Sequence, residues 1–530
     1  MSKELFAREA LALIPKLLTL LDRNPHSPTY GCFDRNYWHY KILDFPSGMA
    51  QEFVWPLALA YDTPLSNNPF YKQPAVREWI SAGIRFASAS AHKDGSCDDY
   101  FPFERATGAA AFSLLACIES YYLVDLEDPN ALRFFERRAD WLAAHRETGR
   151  LSNHQALTAL CLELTSRLIG TREWDFAISE RLDLVFSWQS EEGWFQEYEG
   201  CDPGYNTLTL WCLTRLHELR PSAALKSSIE ASVRLSFEFV HPDGSYGGEY
   251  GSRNTYNFFP AGFELAGRWL PEALSVNDCF LNAVANGLQP NYSDDHIVGH
   301  HCWNYLLAYR DFVEPRPQTR PRPSTSKWLK QARILIDRRE GTELYLALNK
   351  GGVFKLFKGG VLAASDTQLS FRVRTGSKLT TAVAHLVDDY KIEVDQERIT
   401  IEGSMGWAKQ ESMSAWKMVA LRLAMISMGR FFPNAVRRFL QRRLIVGKSH
   451  APFHFKRTLT FDEGAWTVSD EVRANDWSSV ESAGIGCDQT SIYVVMSRTF
   501  QAGQLAAWHD LTPLIRELKG GELLRVERTL

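Results

Sequence analysis

The chain is expected to be a multidomain α+β protein, an N-terminal α/α toroid of about five or six helical hairpins followed by an antiparallel β-sandwich domain. Three observations carry this expectation. Turns at Gly31, Gly95, Gly149, Gly193, Gly244 and Asn291 punctuate helix-periodic sequence, and their recurrence every ~50 residues is a helical-hairpin period. Residues 311–327, DFVEPRPQTRPRPSTSK, form a Pro-rich linker that cannot continue a helix and has little to bury. Beyond it the apolar pattern becomes strand-like. The expected division is therefore 1–310 for the toroid and its cleft, 311–327 for the linker, and 328–530 for the β domain.

The chain opens on an amphipathic helix, MSKELFAREALALIPKLLTLLDRN, whose apolar stretch is broken by Lys16 with no small-residue cleavage site after it. No uncharged apolar run approaches the roughly 20 residues of a spanning helix. A cytoplasmic location is the expectation. KDGSCDDYFPFERATGAAAFSLLACIESYY, EEGWFQEYEGCDPGYNTLTLWCLTRLHEL and PDGSYGGEYGSRNTYNFFPAGFELAG share one design. Each runs from a Gly turn through a loop of aromatics and acids into a helix of small and apolar residues. More charged helices lie between them, such as ALRFFERRADWLAAHRE and ALKSSIEASVRLSFEFV. That alternation predicts an inner ring of small-residue helices and an outer ring of amphipathic ones, with every second loop gathered at one end.

After Lys327, TELYLALNKGGVFKLFKGG, LSFRVR, YKIEVDQERITIEG and FHFKRTLTFDEGAWTVSDEVRA read as strands parted by Gly and Asp turns. A basic helical insertion interrupts them at 412–448. It carries Lys417, Arg422, Arg430, Arg437, Arg438, Arg442, Arg443 and Lys448 and no acid. With Met, Trp, Phe and Leu interleaved, it fits a helix docked on a membrane surface or a partner. A peripheral position at an inner membrane, beside exopolysaccharide assembly, follows as a hypothesis.

The net charge of −4 argues against a general nucleic-acid binder. Nine cysteines without a CxxC pair read as buried free thiols.

Chemistry concentrates in the loops. Asn153 and His154 open one inner helix in RETGRLSNHQALTALCLEL, where Ser152 or Asn153 is also placed to cap it. Tyr205 opens the next helix, with Glu197 in the loop before it. The following loop offers Glu249, Tyr250, Arg253 and Asn254, and the last offers His296, His300 and His301. The first contributes Asp34, Arg35, Tyr37, Trp38, His39 and Tyr40. Convergence on one mouth rich in Tyr, Trp, His, Asn and Arg would suit sugars and carboxylates. His296 and His300, four apart, raise a divalent metal as an alternative, with Asp294, Asp295 or His301 as further ligands. The leading expectation is no cofactor and no metal.

These motifs resemble the heparinase II/III-like polysaccharide lyases and their alginate-lyase relatives. Asn153-His154 is similar to the Asn-His pair that family places at an inner-helix start. Gly193, Glu197 and Tyr205 resemble its Gly-aromatic-Glu…Tyr loop, with Tyr205 at the catalytic tyrosine, and KGGVFKLFKGGVLAASDT is similar to the opening of its β domain. The family's β domain also supplies a histidine from a His-x-His-type segment. Here DTQLSFRVRTG has none, which leaves His385 and His454.

The resemblance implies β-elimination on a uronate-containing polysaccharide. Asn153, with Arg253 or an imidazolium, would neutralise the uronate carboxylate, and Tyr205 or His154 would serve as base and acid. Catalytic roles thus fall to Asn153, His154, Tyr205 and Arg253. Substrate contacts are expected from Tyr37, Trp38, His39, Glu197, Tyr250, Asn254, His300 and His301. The alternatives are a uronyl C5-epimerase, with the same residues reprotonating C5, and a non-catalytic glycan-binding or scaffold protein of polysaccharide assembly.

Overall fold

The computed structural model describes residues 2–530 apart from 199, 293, 319–322, 340, 409–412, 433–448, 488–496 and 502–503. Among the described residues six inner helices form a closed ring: Val54–Asp62, Thr107–Leu123, Ser152–Ile169, Pro203–Leu219, Pro260–Gly267 and His300–Arg310. Each packs on the next, and the last returns to the first. These helices are buried nearly all round, which explains their lack of a polar face. The outer helices Glu4–Leu20, Pro74–Ser90, Pro129–Ala144, Asp175–Ser187, Ala223–Glu238 and Glu272–Ala285 bury one stripe and expose the other. Trp55, Trp211 and Trp303, from three inner helices, meet with ring centroids 4.6–6.0 Å apart and fill the converging inner faces.

The recurrent glycines have a steric cause. Gly31 (φ +93°) and Gly244 (φ +84°) adopt backbone that L side chains rarely tolerate. A Cβ on either would lie 2.3 Å from a carbonyl oxygen of an outer helix, Ala82 or Cys279. Gly95 and Gly193 repeat the arrangement against Arg138 and Ala231. The turn glycine is thus where one hairpin locks onto the next.

The first strand, Thr325–Leu329, begins inside the stretch read as linker, and Arg316 from that stretch is tied to Glu264 and Asp278. The strands Thr325–Leu329, Ile334–Arg339, Thr342–Ala347, Val353–Lys358 and Val361–Asp366 pair in sequence as an antiparallel meander. A nine-stranded sheet packs on one of its faces through Leu335, Leu344, Leu346, Phe354 and Leu356. The other face, with Ile334, Ile336, Tyr345, Ala347, Val353 and Phe357, joins the core of the toroid. Burial on both faces accounts for the continuous apolar runs of these strands.

The described part of the basic insertion is the helix Ala415–Ala424 followed by a wide turn over Met425–Gly429. Arg437, Arg438, Arg442, Arg443 and Lys448 lie outside the described residues. Among the described residues no helix is long and apolar enough to cross a membrane.

Candidate active site

All six inner helices start at the same end of the ring, where the glycine loops lie. The positive ends of these helix dipoles lie there, and side chains accept from N–H groups of three of the starts, at Asn153, Tyr205 and Ala261.

Neither Ser152 nor Asn153 caps the helix they open. The capping position is Leu151, which has no side-chain cap, and Ser152 Oγ donates instead to the Gln196 carbonyl at 2.8 Å. The cap comes from the next hairpin. Glu197 Oε1 accepts the Asn153 backbone N–H at 3.0 Å, and its Oε2 accepts the Asn153 side-chain amide at 2.8 Å. Burial pushes Glu197 up to about 7, against the two Asn153 hydrogen bonds and the charges of Arg253 and His154. Asn153 Oδ1 is buried with no hydrogen-bond partner among the described residues.

His154 Nδ1 pairs with Glu147 Oε2 at 2.7 Å. Burial disfavours the imidazolium, but the Glu147 charge and hydrogen bond outweigh it and raise the pKa of His154. The ring lies over Gly108 at the start of Thr107–Leu123, where a Cβ would come within 2.9 Å of Nε2. Only a glycine there leaves the imidazole in place.

Tyr205 and Arg253 are set by one carboxylate. Asp202 caps Pro203–Leu219 by accepting the Tyr205 N–H at 3.0 Å, and it accepts the Arg253 N–H at 2.9 Å. The Arg253 guanidinium then lies 4.2 Å from the Tyr198 ring centroid and 5.3 Å from that of Tyr205. Burial raises the Tyr205 pKa, and Arg253 only partly counters it. The phenol is therefore neutral at ordinary pH. Tyr100 and Tyr292 lie within electrostatic reach of Tyr205 and extend the polar wall.

The other expected contacts are placed elsewhere. Tyr250 is sealed between the two domains, its hydroxyl on His241 Nε2 at 3.0 Å and its ring stacked on Tyr345. Asn254 accepts Lys350 Nζ at 2.6 Å. His300 is bound to Glu52, which also takes the Trp303 indole N–H, and His301 is buried against Tyr292 and Tyr305. Tyr37 packs on Phe86 and Trp38 donates to the Leu20 carbonyl at 2.8 Å, while His39 is exposed on the outer rim. Glu197 is completely buried behind Asn153. His296 precedes the His300 helix and meets Tyr100 at 3.2 Å, so the two histidines face different partners. Among the described residues no group of three His, Cys, Asp or Glu is arranged to hold a metal.

Glu147, Tyr198, Asp202, Tyr100 and Tyr292 escaped sequence reasoning. Asp202 carried a readable signal, an Asp-Pro helix start. From the β domain, Lys350 donates to the Glu249 and Gly251 carbonyls and to Asn254, clamping the turn that bears Arg253. His385 is buried on the Thr367 carbonyl and His454 pairs with Glu402 on the sheet.

No protein-family model and no curated protein matches the chain in sequence. Solved structures match it in fold. The chondroitin AC lyase of Streptomyces coelicolor A3, in complex with chondroitin sulphate, superposes with a TM-score of 0.52 at 12% identity, covering 92% of this chain and 68% of the lyase. A mutant form of the same lyase gives 0.50 at 10% identity over the same shares. A Paenibacillus xanthan lyase gives 0.48 at 10% identity, covering 91% of this chain and 46% of its own. The class is an α/α toroid joined to an antiparallel β domain, the fold of the chondroitin AC lyase.

Proposed function

We propose that the chain is a glycan-processing enzyme that cleaves a uronate-containing polysaccharide by β-elimination. The observation that supports this best is the gathering of Asn153, His154, Tyr205 and Arg253 from three successive hairpins at one end of the toroid. The amide of Asn153 has two N–H groups. Glu197 takes one, and the second would meet a uronate carboxylate that reaches this buried side chain, 1% exposed in the free chain. A neutral Glu197 adds no negative charge behind it. Arg253 supplies the compensating cation, and charge developing at the carboxylate as C5–H breaks would be stabilised by this preorganised pair.

His154 is oriented as a base, with Nδ1 held by Glu147 and Nε2 left to accept the C5 proton. Tyr205, kept protonated by burial, would donate to the departing glycosidic oxygen. The bonds balance: C5–H and C4–O break, a C4–C5 double bond forms, and the phenolic proton goes to the leaving sugar.

The reading is tested by incubating the protein with alginate, heparosan, hyaluronan and chondroitin and following the ultraviolet absorbance of the unsaturated uronate. Deuterium exchange at C5 without absorbance would favour the epimerase, and binding with neither signal would favour the scaffold.

A further inference from the structure

The described part of the insertion exposes an unusual run of large apolar side chains. Met413, Trp416, Met418, Val419, Leu423, Ile426, Met428, Phe431 and Phe432 are all exposed, Trp416 by 83% and Phe431 by 70%. Soluble surfaces scatter such residues singly, and a contiguous set marks an interaction face. Trp416, Val419, Leu423 and Ile426 recur at helical spacing, while Met425 on the opposite side is buried. The helix itself buries no residue; it is tied down by Arg422, which bonds Asp44 at 2.6 Å, and by the turn after it, where Met425 and Gly429 are buried. Its apolar face is left outward.

We propose that this helix docks the protein on an anionic lipid bilayer, lying in the interface plane with Trp416, Leu423 and Ile426 among the headgroups and acyl ends. Charge complementarity selects the occupant. From 412 to 448 the sequence has eight Lys or Arg and no Asp or Glu, on a chain whose net charge is −4. A sequence that interleaves cations with Trp, Phe and Leu is what an anionic interface retains. An anionic glycan would engage the cations but would leave nine apolar side chains in water.

The docked orientation follows from the contacts of the helix. Arg422 lies over Phe45 and Arg430 over Phe103, and the Phe103 loop carries Tyr100 of the candidate cleft. The bilayer would therefore run beside the mouth, and glycans held at a membrane surface are the substrates within reach. That last step rests on the proposed function, whereas the docking itself does not.

Flotation tests it with the full chain and vesicles of phosphatidylcholine, with and without phosphatidylglycerol. The wild type should float with the anionic vesicles, much less with neutral ones, and progressively less as salt is raised. Combined Trp416→Ser, Leu423→Ser and Ile426→Ser should abolish flotation with an unchanged circular dichroism spectrum. Changing Arg437, Arg438, Arg442 and Arg443 to Ser should weaken it by on the order of fivefold per charge. Absence of wild-type flotation would overturn the proposal, as would equal flotation of the apolar variant. Because the readout needs no turnover, failure here and failure of the lyase reading are separate results.

Discussion

Asn153 and Glu197 are joined twice, by the backbone N–H at 3.0 Å and by the side-chain amide at 2.8 Å, so one carboxylate both caps an inner helix and aims its amide. The link crosses between hairpins. Ionisation of Glu197 should therefore change ligand affinity and stability together.

Burial raises Glu197 to about 7, above its ordinary range. A carboxyl raised on folding contributes most below its unfolded pKa and loses that contribution as pH rises through the folded value. The wild type should lose thermal stability between about pH 4.5 and 7 relative to Glu197→Gln. Its KM for a uronate polymer should rise as pH passes about 7, where the buried anion forms behind Asn153, while the variant stays flat. Thermal melts and KM across pH check both, and parallel profiles would remove the role given to Glu197.

Gly108→Ala should separate activity from stability. Alanine improves helix propensity by up to about 1 kcal/mol, so the melting temperature should hold or rise. Its Cβ would press on the His154 ring, and a base displaced by about 1 Å should lower kcat on the order of 10²-fold. Unchanged kcat would place the imidazole outside the reaction.

Much of this site was legible because its members open consecutive inner helices, where a polar residue stands out against small apolar neighbours. Asn153, His154 and Tyr205 were found that way. Tyr250 and His300 look equally polar in sequence, but their partners Tyr345 and Glu52 lie far along the chain, and nothing local reveals that a domain seat and a buried hydrogen bond consume them. The toroid was readable from its glycine spacing, since each turn packs on the following hairpin. The double-sided burial of the meander was not, because alternation vanishes when both faces are covered.

Glu147→Gln should shift the acid limb of the pH–rate profile. Glu147 raises the His154 pKa against the opposing effect of burial, so removing its charge lowers that pKa. A base that loses its proton more easily stays competent in more acid solution, and the limb should move to lower pH. A shift to higher pH would contradict the pairing.

In the β domain Arg457 is completely buried between Asp366 and Asp470, at 2.8 and 2.7 Å. Arg457→Leu would leave the two buried carboxylates to Arg528 alone, which reaches Asp366 at 2.7 Å and Asp470 at 3.2 Å, and should cost about 3–5 kcal/mol, measured by denaturant unfolding. A cost below about 1 kcal/mol would mean that the pair is solvated.

The most direct measurement is ultraviolet absorbance during incubation with uronate polysaccharides, wild type beside Tyr205→Phe. Absorbance should rise with the wild type on at least one polymer and stay flat with the folded variant. Equal rates from the two proteins, or no unsaturated product from the wild type on any of them, would contradict β-elimination through Tyr205.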